Sequence, residues 1–373
     1  MRVLIFTSSG GTAHDAAAYS IKSWLNHWDP NGSVLVEHLL EDSSFIMRSS
    51  VNLYNWIQKY WPWLHQIYWR LVEFEDLVKP GTVIFGRTYL IRLLRKFAPE
   101  LIISTHPHIN RGHFDLAKRV IGPSLRTITC CTELDGGFGF SRNWVSKKAD
   151  AFWALTPEVA EEVCRRGYIR KRISVLGPLF DPYFEALLEN PHQEDLANRS
   201  LPLLVLGCGA NGSNNHLDLL NALLPLAGKI RVIALCGRRE NAKKELKKWS
   251  LLHSDLSLEV LGFQSQKEMA RLYRRAWVMV GRPGARTATE ALATGCVLIF
   301  NGFGTTMPQE LLARRYFSKR GIDIAIKKPE NLICILKSWL DQPEQYQSIK
   351  EAYCFNPLVA NRDGIRQLIL GSV

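Results

Sequence analysis

Short apolar runs recur along this chain, each closed by small or polar residues and followed by a stretch with helical spacing. The first, Val3 to Phe6, ends in a Ser/Gly turn and gives way to a helical pattern from Ala16 to Trp24. Further runs at Val34–His38, Leu101–Ser104, Thr127–Cys131, Ala151–Ala154 and Ile173–Leu176 read as strands, with helical stretches between them. Strand and helix in alternation predict a parallel sheet covered by helices on both faces.

After a polar stretch without strand signal, "LLENPHQEDLANRSL" at residues 187–201, the pattern restarts. Leu203–Leu206 leads into a glycine-rich turn and a helix from about His216, and strands follow at Arg231–Leu235, Leu258–Val260, Val278–Val280, Val297–Phe300 and Ile322–Ile326. Two successive series of this kind predict an α/β chain of two doubly wound, Rossmann-like domains facing a cleft, one over residues 1–190 and the other over 200–345. The length of 373 residues suits two domains.

Composition narrows the chemistry. A formal net charge of +12 points to an anionic partner, whether nucleotide, nucleic acid or membrane surface. The eight cysteines are scattered, with no CxxC pair and no Cys/His ligand spacing, which predicts free thiols and neither a zinc site nor a disulfide framework. "MRVLIFTSSGG" holds too few apolar residues for a signal peptide, and no window of 18 residues is uninterruptedly apolar. The expectation is a cytoplasmic protein, soluble or lying on a membrane surface.

Ligands of open α/β sheets bind beyond the carboxyl ends of the strands, where glycine turns let backbone amides approach and helix N-termini favour negative charge. Four turns fit: "SSGGTAHD", which contains Gly11, "GCGANGSNN", "CGRR" and "GRPGARTATE". None matches G-x-G-x-x-G or the P-loop, which disfavours a dinucleotide dehydrogenase or an ATPase. His14 instead stands just after the first glycines, where an imidazole can take a proton near neutral pH or hold an acceptor hydroxyl.

The segments "SSGGTAHDAAAYSI", "STHPH", "VLGCGANGS", "CGRR", "LGFQSQKEMARLYRRAWVMVGRPGARTATEAL" and "MPQE" follow one another as in a known family. In that order the chain resembles monogalactosyldiacylglycerol synthases and processive diacylglycerol glucosyltransferases, relatives of the peptidoglycan lipid-intermediate N-acetylglucosamine transferase. The resemblance covers nearly the whole chain and is most specific over residues 258–310. It implies a GT-B fold and an inverting, metal-independent transfer of a hexose from a UDP-sugar to a membrane lipid such as diacylglycerol, with no further cofactor. By the same resemblance Glu290 would accept the ribose hydroxyls and Thr287, beyond Gly284, would meet the diphosphate. Gly209, Ala210 and Asn211 would belong to a phosphate-facing loop running to Ser213. Gly237 and Arg238 would lie close to the nucleotide, Gly262 and Phe263 would read uracil through their backbone, and Gln309 and Glu310 would hold sugar hydroxyls. Residues 346–373 would cross back onto the first domain.

Elementary chemistry agrees with these roles. A carboxylate makes charge-assisted hydrogen bonds to vicinal hydroxyls. A helix N-terminus with Arg282 or Arg286 could neutralise a departing UDP, work otherwise done by a divalent metal, and no D-x-D motif is present. The chain departs from the family pattern at Arg286, which replaces a small residue, at Arg282, which replaces a lysine, and after "QE", where an asparagine is missing. The donor sugar is therefore left open among glucose, galactose and N-acetylglucosamine.

Residues 52–70, "NLYNWIQKYWPWLHQIYWR", hold seven aromatics (Tyr54, Trp56, Tyr60, Trp61, Trp63, Tyr68 and Trp69), and Arg87, Arg92, Arg95 and Lys96 follow. Tryptophan and tyrosine favour the headgroup level of a bilayer and basic side chains an anionic surface, so this region is read as docking on membrane and admitting lipid. The plainer alternative is that about half of these rings pack between helices. A nucleic-acid partner is not expected, since no RNA-binding module is present. Two groups compete for the role of base: His14, and Glu133 in "CCTELDGG", followed by Asn143 and Trp144 as in the peptidoglycan relative. Asp135 is a weaker third, and His106 and His108 would shape the cleft floor. The rival functions are a soluble UDP-sugar transferase or 2-epimerase, and an inactive homologue that binds glycolipid.

Overall fold

The computed structural model describes residues 1–9, 12–60, 83, 85–189, 201–208, 215–303 and 306–371. It divides into two compact units. The first comprises Met1–Pro182, Met307–Ala313 and Val359–Val373, and the second Tyr183–Thr306 and Arg314–Leu358.

In the first unit six strands form one parallel sheet: β1 (Arg2–Thr7), β2 (Ser33–His38), β3 (Leu101–Ser104), β4 (Arg126–Cys130), β5 (Ala151–Ala154) and β6 (Ile173–Val175). Their order is β2-β1-β3-β4-β5-β6. β1 is apolar at every position from Val3 to Phe6 because it lies inside the sheet with both faces covered, and Leu4, Ile5 and Phe6 are fully buried. The helices that follow the strands in this unit are α1 (Thr12–Trp28), α2 (Leu39–Ser43), α3 (Phe45–Tyr60), α4 (Arg87–Phe97), α5 (His113–Ile121) and α6 (Pro157–Arg165). The strand order reverses between β1 and β3, which pair from Val3↔Leu101 to Phe6↔Ser104. A crevice opens at such a reversal, beyond the carboxyl ends of the strands. Among the described residues, those just past these ends are Ser8, Ser9 and Thr12 to His14 on one side and Thr105 to His108 on the other.

The second unit repeats the plan with β7 (Leu203–Leu206), β8 (Arg231–Leu235), β9 (Ser257–Leu261), β10 (Val278–Gly281), β11 (Val297–Asn301) and β12 (Ile324–Ile326), ordered β12-β11-β10-β7-β8-β9. Its reversal lies between β7 and β10, and the turn after β10 leads into a helix at that point. The helices, after α7 (Pro182–Glu189), are α8 (His216–Leu223), α9 (Glu240–Leu252), α10 (Gln266–Arg275), α11 (Ala285–Thr294), α12 (Glu310–Ser318), whose first four residues belong to the first unit, α13 (Pro329–Asp341) and α14 (Pro343–Phe355).

Two divisions differ from the sequence reading. The strip 307–313, read as part of the second domain, packs in the first unit, where Leu312 joins the core of Phe140 and Trp144. Gly139 makes this possible. It has a left-handed φ of 98°, and a Cβ there would stand 2.0 Å from the Pro308 carbonyl oxygen. At the other end of the chain α14 stays with the second unit, and the return to the first begins at Val359. There α15 (Arg362–Leu370) buries Ile365 and Ile369 against Val3 and Ile5.

Candidate active site

At the reversal of the first sheet His14 stands in the first turn and a half of α1, where Asp15 and the turn before it are tied down from outside the helix. Glu41 Oε1 accepts from Ser8 Oγ (3.0 Å), Ser9 N (2.6 Å) and Ser9 Oγ (2.7 Å). Asp15 accepts from Thr7 Oγ1 (2.9 Å) and lies 3.2 Å from His38 Nε2. Burial raises the Asp15 carboxyl, but His38 and Thr7 together outweigh it and hold the carboxyl below its usual range. The hydrogen bond to Asp15 in turn lifts His38.

His14 Nδ1 lies 2.7 Å from the Thr105 carbonyl oxygen and 3.1 Å from Thr132 Oγ1. A carbonyl only accepts, so Nδ1 carries the proton and Nε2 keeps its lone pair. Nε2 has no hydrogen-bond partner among the described residues. Burial pushes the ring down to about 4, outweighing the Thr105 carbonyl and the Asp15 carboxylate, which pull the other way, so it is neutral at pH 7. His106 packs edge-on at 4.6 Å between ring centroids and His108 lies 5.5 Å beyond it. His106 is itself held neutral, first by burial and then by its histidine neighbours, and its Nδ1 is buried without a partner.

Glu133 follows Thr132 in the chain, just past β4. Burial pushes its carboxyl up to about 8, against a smaller pull from the Trp144 indole, so it is protonated at neutral pH. Trp144 also stands 5.8 Å from His14, ring to ring. The two candidate bases therefore share one locale, and their environments drive them in opposite directions, the histidine to a weaker base and the carboxyl to a weaker acid. Asn143, from the same stretch as Trp144, lies 3.1 Å from His108 Nδ1 and completes the wall.

In the second unit β10 passes through 282–284 into α11, with Gly284 as an extended N-cap that offers no side chain to the first amides. The helix N-terminus is thus left for an anion. Gly281 lets Thr287 close over the strand end: a Cβ there would sit 3.1 Å from Thr287 Cγ2. Glu290 is 5 % exposed, and Arg286 donates from Nε to its Oε1 at 2.8 Å. No other hydrogen bond to the Glu290 carboxylate is made among the described residues. Arg282 reaches the Phe303 carbonyl oxygen (2.8 Å) and that of Asn301 (3.5 Å), pinning the loop after β11.

A third cluster in the same unit joins the turns after β8 and β9. Arg238 stacks over the Phe263 ring at 4.8 Å, and Gly262 faces the Gly237 carbonyl. Phe263 is 55 % exposed, which leaves an aromatic face and two flanking backbones open to a planar ligand. Lys243 Nζ reaches the same spot, 3.5 Å from where a Gly262 Cβ would stand.

The structure thus gathers His14 with Glu133, Thr287 with Glu290, and Gly237 and Arg238 with Gly262 and Phe263. Gln309 and Glu310 stand in the strip that packs with the first unit, and Glu310 Oε2 accepts from Met307 N at 2.8 Å. Gly11, Gly209, Ala210 and Asn211 lie outside the described residues, as do Trp61, Trp63, Tyr68 and Trp69. Thr105, Thr132, Asp15, Glu41 and Lys243 were not singled out from sequence. Each acts through a partner distant in the chain, and none has a local signature.

Residues 14–179 match the family model described as monogalactosyldiacylglycerol (MGDG) synthase, and residues 203–352 match the glycosyltransferase family 28 C-terminal domain. The processive diacylglycerol beta-glucosyltransferase of Staphylococcus epidermidis is 24 % identical over 349 residues, covering 92 % of this chain and 85 % of its own. Among solved structures, Acinetobacter baumannii MurG superposes with a TM-score of 0.59 at 12 % identity, covering 99 % of each chain. A UDP-GlcNAc 2-epimerase from Neisseria meningitidis, bound to UDP-GlcNAc, does so with 0.60 at 12 % identity over 100 % of each. These likenesses place the fold among GT-B glycosyltransferases and epimerases.

Proposed function

We propose, from the match of residues 14–179 to the monogalactosyldiacylglycerol synthase model and of 203–352 to the glycosyltransferase family 28 C-terminal model, an inverting transfer of a hexose from a UDP-sugar to the free hydroxyl of a diacylglycerol-type lipid. The name of the Staphylococcus relative, a diacylglycerol glucosyltransferase, supports the acceptor, and the UDP-GlcNAc bound to the epimerase neighbour supports the donor class.

In this reading His14 Nε2 takes the proton from the acceptor hydroxyl as its oxygen attacks the anomeric carbon. The bond from that carbon to the diphosphate breaks, and its electron pair leaves with UDP. Of the two candidate bases His14 is the one already in its basic form at neutral pH, and the single observation that carries its assignment is the Nδ1 contact to the Thr105 carbonyl oxygen. Glu133, protonated, donates a hydrogen bond to the acceptor. The open N-terminus of α11 and Thr287 receive the diphosphate, Glu290 the ribose hydroxyls, and the Arg238–Phe263 stack flanks the base. Metal is not required, because helix amides take up the charge of the leaving group.

The acceptor is reached from a membrane surface. Phe45, Ile46, Leu53 and Trp56 are exposed along α3, and Arg92, Arg95 and Lys96 are exposed on α4. No helix among the described residues is long and apolar enough to cross a membrane.

The test is incubation with radiolabelled UDP-glucose, UDP-galactose and UDP-GlcNAc in the presence of diacylglycerol vesicles. Label in the lipid extract from one donor is expected. Label that stays in the aqueous phase, or no turnover of any donor, would turn the assignment to a soluble substrate or to an inactive binder.

A further inference from the structure

The second unit carries an outward helix face that the transfer reaction does not use. Along α9 the buried positions are Ala242, Leu246 and Trp249, spaced by four and three residues, and Trp249 Nε1 donates to Asn221 Oδ1 at 2.9 Å. The helix is therefore fixed by its inner face. Its outer face carries Lys244, Lys247 and Lys248, all exposed, and ends in Leu251 and Leu252, which are 82 % and 81 % exposed. These positions follow the i, i+3, i+4, i+7, i+8 spacing of one helix side. Glu240 stands at the N-terminal end of the face, Glu245 at its edge two turns before Leu252, and the exposed Asp255 three residues beyond Leu252, so the positive stretch is the run of Lys244, Lys247 and Lys248 itself. Lys243 is excluded, since it turns inward to Gly262.

We propose that this face of α9 is a second membrane contact, which lays the three lysines on anionic headgroups and dips Leu251 and Leu252 into the interface. It deepens the membrane reading above and rests on it. Charge complementarity selects the occupant. Three clustered ammonium groups each gain about 1 kcal/mol at an anionic bilayer surface, and two side-by-side leucines held out in water gain by leaving it. A nucleic acid would use the lysines and leave the leucines without a role. The consequence is that the donor-binding unit carries a bilayer contact of its own.

The experiment is sedimentation of the full chain with phosphatidylcholine vesicles, with and without phosphatidylglycerol. It compares the wild type with Leu251→Ser/Leu252→Ser and with Lys244→Gln/Lys247→Gln/Lys248→Gln. UDP affinity and the thermal melt serve as folding controls. The lysine variant is expected to partition on the order of a hundredfold more weakly onto the anionic vesicles, and the leucine variant about tenfold more weakly. Hydrogen exchange across α9 should slow when vesicles are added. If the wild type pellets and both variants pellet equally well, this contact is wrong while the membrane reading stands. If the wild type does not pellet, both fail. Self-association that the leucine variant abolishes, with vesicle binding unchanged, would assign the face to a second copy. Nucleic-acid retention lost only in the lysine variant, again with vesicle binding unchanged, would overturn the proposal in favour of nucleic acid.

Discussion

Arg286 donates from Nε to Glu290 Oε1 over 2.8 Å, one turn apart along α11, with the carboxylate 5 % exposed. The arginine therefore does more than add positive charge near a diphosphate. It neutralises and orients a buried carboxylate and, in the proposed function, leaves the other oxygen to meet the ribose. A buried ionised acceptor makes hydrogen bonds in the range of about 1.5–3 kcal/mol, and removing it loses them. Glu290→Ala should weaken UDP binding by roughly ten- to a hundredfold in calorimetry. Affinity within twofold of the wild type would sink the donor assignment. Arg286→Ala should lower the melting temperature, because it leaves the carboxylate without its cation.

That pair also shows how far the sequence could be read. "RPGARTATEAL" was legible as strand end, turn and helix because apolar run, glycine and helical spacing each leave a local mark. The same marks located the twelve strands of the described residues, differing from them only near their ends. The i,i+4 spacing of Arg286 and Glu290 was present as well, but spacing does not say whether an arginine meets a ligand or its own helix; burial decides that. His14 and Glu133 were legible as candidates and not as a ranked pair, because their proton affinities are set by desolvation first, then by the Thr105 carbonyl for His14 and the Trp144 indole for Glu133, and spacing announces neither burial nor those contacts. The packing of 307–313 with the first unit rests on the Gly139 turn, and a single glycine in a loop announces no partner.

Thr105 fixes the His14 tautomer through its backbone carbonyl, so no Thr105 side-chain substitution can remove that contact. The imidazole itself can be removed. His14→Ala should lower kcat by about 10²–10⁴-fold, the usual contribution of a positioned general base, and leave the Kd for UDP unchanged. Single-turnover assays at saturating donor separate the two. A variant that kept kcat but lost UDP affinity would move His14 out of the proton-transfer role.

His216, buried at the mouth of α8, donates from Nε2 to the Leu235 carbonyl oxygen at 2.9 Å. Burial pushes its pKa down to about 4 from an ordinary 6.5. The unfolded chain then binds the extra proton between those values and the folded chain does not, so stability rises with pH across that window. It is fully present above 6.5 and lost as pH falls through 4. The loss from this one group is on the order of 3 kcal/mol. Urea unfolding of wild type and His216→Gln from pH 7 to pH 4 should show a steep decline in the first and a shallower one in the second. Parallel curves would place the acid sensitivity elsewhere.

A leaving group neutralised by helix amides does not depend on divalent metal. Turnover should survive dialysis against EDTA within about twofold, since the N-terminus of α11 is built into the fold and cannot be stripped. A loss restored by magnesium or manganese would contradict that route.

The pH–rate profile decides between the two candidate bases. With His14 as base, kcat/KM should rise through about 4, as the imidazole of the free enzyme loses its proton, and reach a plateau well below neutrality. Glu133, raised to about 8, holds its proton across that plateau, and the rate should decline through about 8 as the hydrogen-bond donor is lost. With Glu133 as base the profile inverts on that side: the active form would be the carboxylate, and the rate would climb through about 8. Glu133→Gln separates the cases without relying on curve shape. A glutamine still donates a hydrogen bond and no longer titrates, so the first case predicts retained activity and a flat alkaline limb. The second predicts a loss of about 10²-fold or more at every pH. The stability signature has the opposite sense to that of His216: the folded state holds an extra proton on Glu133 between about 4.5 and 8, so its contribution falls as pH rises through that window. Glu133→Gln should therefore flatten the alkaline decline in urea stability as well as in rate. A variant that lost activity while removing only the stability slope would make Glu133 the base and His14 a residue that positions the acceptor.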